Sequence, residues 1–141
     1  MIFRMAEKIL RKVLNNEFGL DDFEYEINDK GDLIATNSIT IKAFDDDIYC
    51  RFRLCEDDLV VYNFTFDKLE KTDRALKYIN QFNENCMFFK AHTNDEYLKI
   101  QHVAYVLNED DLEDYTRQVM NALVSDHVKK YLEPLCEMTH D

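Results

Sequence analysis

Cysteine and histidine are the residues of this chain best suited to chemistry, and the sequence holds four of each. They are Cys50, Cys55, Cys86 and Cys136, together with His92, His102, His127 and His140. Nucleophilic catalysis needs a thiol or hydroxyl within reach of a histidine that a third group orients, and no local signature of such a set surrounds any of them. The sequence also has no glycine-rich phosphate-binding loop. We therefore expect no catalytic residues, no cofactor and no enzymatic activity.

The spacing of the cysteines argues against a metal site. No CxxC pair occurs in the sequence, whereas structural zinc sites take their ligands in closely spaced pairs. Free cysteine behaves as a small hydrophobic residue, and Cys50 and Cys136 fall at positions that the patterns described below turn inward. We expect reduced, structural thiols and no bound metal.

Two of the histidines fall on one predicted hairpin. A turn near residues 93–96 sets His92 opposite Tyr97 and His102 opposite Met87. In this register the two imidazole rings lie apart along the sheet and point to different faces. They are therefore not expected to form a single site.

The formal net charge of -12 restricts the partners of the chain. Non-specific binding to nucleic acid or to an anionic membrane depends on a basic surface, so we expect neither. The acidic residues concentrate at Asp21–Asp22, Asp45–Asp47, Glu56–Asp58 and Glu109–Asp111. Each cluster coincides with a predicted turn or helix start, where acidic residues are favoured. An acidic inhibitor or nucleic-acid mimic, for instance one encoded by a mobile element, would carry similar clusters and remains an alternative.

The length and composition of the chain are typical of one globular domain. Its 141 residues include 46% hydrophobic and 13% aromatic residues, which argues against disorder, and only two glycines and one proline, which argues against linkers. The first residues lack a signal-peptide core, and no apolar run is long enough to span a bilayer. We expect a single domain over residues 1–141, located in the cytoplasm.

The hydrophobic periodicity alternates between helical and strand-like along the chain. Helical spacing covers residues 3–18, 69–85 and 108–135, while alternation covers residues 23–27, 33–66 and 87–102. The stretch from Leu33 to Phe66 reads as an antiparallel meander, and the last helix is predicted to run unbroken from Asn108 to Leu135. The fold class that follows is α+β, in the order α-β-β-β-α-β-β-α, with an antiparallel sheet packed by helices.

The turns of the meander determine its predicted register. A four-residue turn at residues 55–58 gives the pairs Leu54–Leu59, Phe52–Val61, Arg51–Tyr62 and Tyr49–Phe64. A two-residue turn at Asp46–Asp47 pairs Ile41 with Phe52 and Ala43 with Cys50. Side chains that lie opposite one another share a face, and in these registers they match in polarity.

This register divides the predicted sheet into two faces. The face toward the helices carries Ile41, Cys50, Phe52, Val61, Phe89 and Ile100, and the other carries Lys42, Phe44, Tyr49, Arg51, Arg53, Tyr62, Phe64, Phe88, Lys90, Tyr97 and Lys99. Aromatic and arginine residues with few acids are typical of protein-binding patches. The candidate interaction residues are therefore Tyr49, Arg51, Arg53, Tyr62, Phe64, Phe88, Lys90, Tyr97 and Lys99. The alternative is that a helix covers this face, with the basic side chains lying over the aromatic rings.

The layout resembles the type III secretion chaperone-like fold, and within it the bacterial YbjN-like proteins. The resemblance rests on the strand pair at residues 49–54 and 59–64, on the helix at residues 75–83, and most specifically on Ile79-Asn80-Gln81-Phe82-Asn83 before an aromatic strand. It spans roughly Phe23 to Leu135. It implies an α+β domain, often dimeric, that binds other polypeptides through its sheet and an adjacent helix and has no catalytic residues.

These observations together predict a non-enzymatic protein-binding module, chaperone-like or regulatory, that acts through a sheet face and an adjacent helix. We expect the chain to form a homodimer and to bind a different protein as its partner. We expect no direct contact with nucleic acid or membrane. The rival hypothesis is the acidic inhibitor or mimic, whose carboxylates would bind a basic protein.

Overall fold

The structure, a computed structural model, describes residues 2–41, 44 and 46–140, with only the backbone at residue 46. Its elements are α1 (Phe3–Arg11), continued by a π-helical segment (Lys12–Glu17), β1 (Glu24–Ile27), β2 (Leu33–Ile41), β3 (Asp46–Leu54), β4 (Leu59–Lys68), α2 (Asp73–Asn85), β5 (Lys90–His92), β6 (Tyr97–Tyr105), α3 (Glu109–Leu123) and α4 (Asp126–Cys136). All strand pairs are antiparallel and form one sheet in the order β1-β2-β3-β4-β6-β5. The predicted α+β class, with an antiparallel sheet packed by helices, is confirmed.

The order of elements differs from the prediction in two places. Four strands precede α2 instead of the three in the predicted order, because the alternating stretch at residues 23–27 also forms a strand, Glu24–Ile27, which pairs with β2 at the sheet edge. The predicted last helix is two helices, because Ser125 starts a new one: its Oγ accepts a hydrogen bond from the Val128 N–H at 3.3 Å. A serine at this position favours a helix start over a helix interior. The same hydroxyl donates to the carbonyl of Ala122 at 2.7 Å and so ties the two helices together.

The hydrophobic core lies on one face of the sheet. Phe52, Tyr62 and Phe64 are fully buried there, and the Phe52 and Phe64 rings pack edge to face with centroids 5.6 Å apart. The buried apolar side chains of all four helices belong to the same cluster as these rings. We call this side of the sheet the helix-covered face. The opposite side, which we call the open face, holds the alternate residues of each strand.

The observed register of β3 and β4 is shifted by one residue from the predicted register. Phe52 pairs with Tyr62, and Arg51 pairs with Asn63. The connecting turn is one residue longer than predicted, since Asp58 adopts φ 65° and the Cys55 N–H donates to the Leu59 carbonyl at 2.8 Å. A slip of one residue moves every side chain of a strand to the other face.

The register of β2 and β3 also differs from the prediction, but the paired residues of these two strands still point to the predicted faces of the sheet. Ala35 pairs with Phe52, and Ile41 pairs with Asp46, so the connection falls on residues 42–45 instead of Asp46–Asp47. Lys42, Ala43 and Asp45, which figured in the sequence predictions, lie outside the described residues. Phe44 was predicted on the open face. That placement is wrong, because Phe44 is buried and packs edge to face on Phe66 at 6.0 Å.

The short strand β5 is held at the sheet edge by a side chain of α2. The Asn83 Oδ1 accepts a hydrogen bond from the Ala91 N–H at 2.7 Å, and the Asn83 Nδ2 donates to the Ala91 carbonyl at 3.1 Å. One amide side chain thus satisfies both backbone groups that a further strand would otherwise bond, which protects this part of the edge.

Candidate functional site

Rows of opposed residues run across the open face. The central row crosses all six strands and is polar throughout: Glu24, Thr36, Arg51, Asn63, Gln101 and Lys90. On one side of it lies the row Ser38, Tyr49, Thr65, Lys99 and His92, and on the other the row Glu26, Ile34, Arg53, Val61 and Val103. The centre of the face therefore combines arginines, amides and small apolar side chains.

The basic side chains of the open face are only partly neutralised. The Lys99 Nζ lies 2.7 Å from an Asp95 carboxylate oxygen, and the Arg53 Nε lies 4.0 Å from the buried Asp32. Within the described residues, Arg51 and Lys90 form no ion pair. A half-buried arginine without a carboxylate partner keeps donors that can form charge-assisted hydrogen bonds.

Several polar atoms of this face are shielded from solvent and make no hydrogen bond within the described chain. They are the Arg53 Nε, the Asn63 Oδ1 and the His92 Nδ1. Burial, with Lys99 and Lys90 nearby, lowers the pKa of His92 below its ordinary value, so this ring is neutral at pH 7. Buried polar atoms are rarely left without partners in a complete assembly, so the open face has unused hydrogen-bonding capacity.

Six of the nine candidate residues lie on this face. Tyr49, Arg51 and Arg53 come from β3, Lys90 from β5, and Tyr97 and Lys99 from β6. Tyr49 is 44% exposed, and the Lys68 ammonium sits 6.0 Å from the centroid of the Tyr97 ring. The alternative expectation, that a helix covers these residues, is wrong for the part of the chain that the structure describes.

The other three candidates are placed elsewhere. Tyr62 and Phe64 are buried in the core, because the one-residue slip of β4 turns them toward the helices. Phe88 lies before β5 and stacks on His102 with ring centroids 4.0 Å apart. The His102 Nδ1 lies 2.7 Å from the Phe88 carbonyl oxygen. Phe88 therefore belongs to the edge of the helix-covered face.

The prediction missed the residues that replace these aromatics on the open face. The sequence pattern predicts that Val61 faces the helices and does not single out Asn63, Gln101 or Val103, whereas all four lie on the open face. The sequence carried a signal for β4, since Val60, Tyr62, Phe64 and Phe66 form an uninterrupted apolar alternation with polar residues between them. Weighing that alternation above the assumed turn length gives the observed faces.

The histidines and cysteines form no site among the described residues. His92 and His102 point to different faces, as predicted. Cys50, Cys55, Cys86 and Cys136 are free thiols, and burial raises the pKa of the Cys50 thiol. No group of three potential metal ligands comes together in the described part of the chain.

No helix among the described residues is long and apolar enough to cross a membrane. Comparison of the chain with family models, with curated proteins and with solved structures finds no match. The resemblance to YbjN-like proteins and to the type III secretion chaperone-like fold stays a prediction.

Proposed function

We propose that the chain is a non-enzymatic protein-binding module, chaperone-like or regulatory, that acts in the cytoplasm as a homodimer. The open face takes an acidic segment of a partner protein, and neither nucleic acid nor membrane is the ligand. The observation that carries the proposal is Arg51, which lies at the centre of an uncovered sheet face without an ion-pair partner in the described chain.

The chemistry of the face supports a polypeptide ligand. Arginine and tyrosine are enriched at the energetic centres of protein interfaces, and Arg51, Arg53 and Tyr49 are adjacent on β3. Asn63 and Gln101 offer amide groups beside them, which suit the backbone or side chains of a polypeptide. The net charge of -12 opposes the long-range approach of nucleic acid to the same surface.

One observation favours the rival function, an acidic inhibitor or mimic. The turn that holds Glu56 and Asp57 meets the end of β6, where the Val106 N–H donates to the Asp58 carbonyl at 2.9 Å. The cluster Glu109–Asp111 follows shortly after Val106, so two acidic clusters share one end of the sheet. Under this rival, neutralising Glu56 and Asp57 abolishes partner binding.

The proposal is tested by charge reversal on the open face. The tagged protein and its Arg51→Glu variant are purified from the native host, and co-purifying proteins are quantified by mass spectrometry. Arg74→Glu is the matched control, because Arg74 is exposed on α2 and the change in charge is the same. We expect a specific partner to be lost at least about tenfold with Arg51→Glu and retained with Arg74→Glu.

Two results would contradict this function. A partner captured equally by wild type and Arg51→Glu excludes the centre of the open face as the binding surface. Loss of the partner with Glu56→Gln and Asp57→Asn, but not with Arg51→Glu, establishes the rival. Circular dichroism of each variant confirms that the fold is retained.

A further inference from the structure

Strand β6 is only partly covered by its neighbour at the sheet edge. It spans Tyr97–Tyr105, whereas β5 pairs only with Lys99, Ile100 and Gln101. Along the edge of β6 that faces β5, residues 102–105 have no strand beside them in the described chain.

The backbone groups along this free stretch can be assigned from the hydrogen bonds of Ala91. Both its N–H and its carbonyl bond to Asn83, so they point away from β6, and the Ala91–Ile100 pair is of the non-hydrogen-bonded kind. By strict alternation, the N–H and carbonyl groups of Val103 and Tyr105 point to the same side as those of Gln101, beyond the end of β5. They make no hydrogen bond there among the described residues, which leaves a short template for another strand.

Exposed apolar side chains surround this template. Met87 is 91% exposed, Leu107 82% and Tyr105 63%. An open cleft of about 570 Å³ lies beside the free edge and is lined by residues that include Met87, Phe88, His102 and Val103. Apolar side chains this exposed, next to unpaired backbone groups, indicate an interface.

We propose that a second copy of the chain occupies this edge, with the two β6 strands paired antiparallel about Ala104. Val103 of each copy then lies opposite Tyr105 of the other, and each of these pairs exchanges both of its backbone hydrogen bonds. The contact is self-complementary, as a two-fold dimer requires. The inference rests on the homodimer of the proposed function and adds the surface through which it forms.

The register of this pairing also accounts for the exposed apolar residues. Beyond its Tyr105, the second copy leaves the ladder before it reaches β5, and its Leu107 comes close to the cleft that Met87 and Phe88 line. The acidic residues that follow Leu107 begin with Glu109, and Lys90, which forms no ion pair in the described chain, lines the same cleft. The charges therefore complement one another across the dimer axis.

The dimer would also enlarge the open face. Paired residues of adjacent strands point to the same side of a sheet, so Val103 and Tyr105 of both copies lie on one continuous surface. An extended acidic partner would then contact the arginines of both copies.

Sedimentation velocity over a range of concentrations tests the inference. We expect wild type to dimerise reversibly, and Leu107→Asp to raise the dimer dissociation constant at least about tenfold, because it replaces an apolar side chain of the contact with a charged one. Val103→Pro removes an outward N–H that the ladder with β4 does not use, so it is expected to have the same effect with the fold retained. Val124→Asp is the control, since Val124 is also exposed but lies between α3 and α4.

The outcomes separate this inference from the proposed function. A wild type that is monomeric at all concentrations overturns both the edge and the homodimer, while capture of an acidic partner at Arg51 is tested independently. A dimer that Leu107→Asp and Val103→Pro leave unchanged overturns the edge alone. If Val103→Pro fails to fold by circular dichroism, Leu107→Asp decides.

Discussion

Tyr62 and Thr116 share a hydrogen bond in the core: their hydroxyl oxygens lie 2.8 Å apart, and both residues are fully buried. The bond joins the centre of the sheet to the middle of α3. It gives the Tyr62 hydroxyl a partner inside the protein, which a buried tyrosine requires. Tyr62 therefore anchors the helix layer to the sheet and is unavailable to a binding partner.

Thr116→Val is expected to destabilise the fold by about 1–3 kcal/mol, because it leaves the buried Tyr62 hydroxyl without a partner. Tyr62→Phe is expected to cost less, since the Thr116 hydroxyl can turn to a carbonyl of its own helix. The double variant removes both hydroxyls and should be more stable than Thr116→Val alone. Urea denaturation of the four proteins measures these differences, and strict additivity of the two single effects would contradict the direct bond.

The alkaline limit of stability is expected to depend on Tyr25. Burial raises the pKa of Tyr25 from its ordinary value of 10.0 to about 12, against the opposing effect of Arg11. Above pH 10 the unfolded chain loses this proton while the folded chain keeps it, so the free energy of unfolding falls between pH 10 and about pH 12. Tyr25→Phe removes this contribution. The Tyr25 hydroxyl makes no hydrogen bond in the described chain, so the substitution breaks none.

Chemical denaturation at pH 8 and pH 11 provides the measurement for Tyr25. The stability that wild type loses between these two pH values should be larger than the loss in Tyr25→Phe. Tyr97→Phe, which removes a hydroxyl from a ring that is 38% exposed, is the matched control for the substitution itself. Equal losses in Tyr25→Phe and wild type would show that Tyr25 ionises normally.

Asn83 is expected to hold the edge strand through its two hydrogen bonds to Ala91. Asn83→Ala should destabilise the protein by about 1–2 kcal/mol and speed hydrogen exchange at the Ala91 amide. Asn83→Asp keeps the acceptor for that amide and loses the donor to the carbonyl, so its exchange should stay slower than in Asn83→Ala. Identical exchange in Asn83→Asp and Asn83→Ala would contradict this assignment.

The parts of the fold that depend on local sequence were predictable. Apolar periodicity identified strand β4 and the middle helix, and Asn108 marked the start of α3, where its side chain accepts a hydrogen bond from the Asp111 N–H at 2.9 Å. A polar residue before an apolar run carries this information in its own neighbourhood.

The register of β4 differs from the prediction because the turn before it is one residue longer than assumed, although the apolar alternation of β4 indicates the observed faces. Asp58 adopts a left-handed conformation in this turn. Its carbonyl accepts a hydrogen bond from the N–H of Val106, which directly follows β6 and is remote in sequence. Turn length alone did not reveal this contact, and the error moved Tyr62 and Phe64 from the core to the predicted site. Arg51 and Tyr49 were placed correctly because the alternation of β3 does not depend on that turn.

Site-specific photo-crosslinking in the native host shows whether the open face contacts a partner protein. p-Benzoylphenylalanine is placed at Tyr49 on the open face and, in a separate variant, at Leu76 on α2, because the two positions are 44% and 45% exposed. We expect Tyr49 to crosslink to an acidic segment of a specific partner protein and Leu76 not to. Absence of any adduct at Tyr49, or the same adducts at both positions, would contradict the open face as the binding surface.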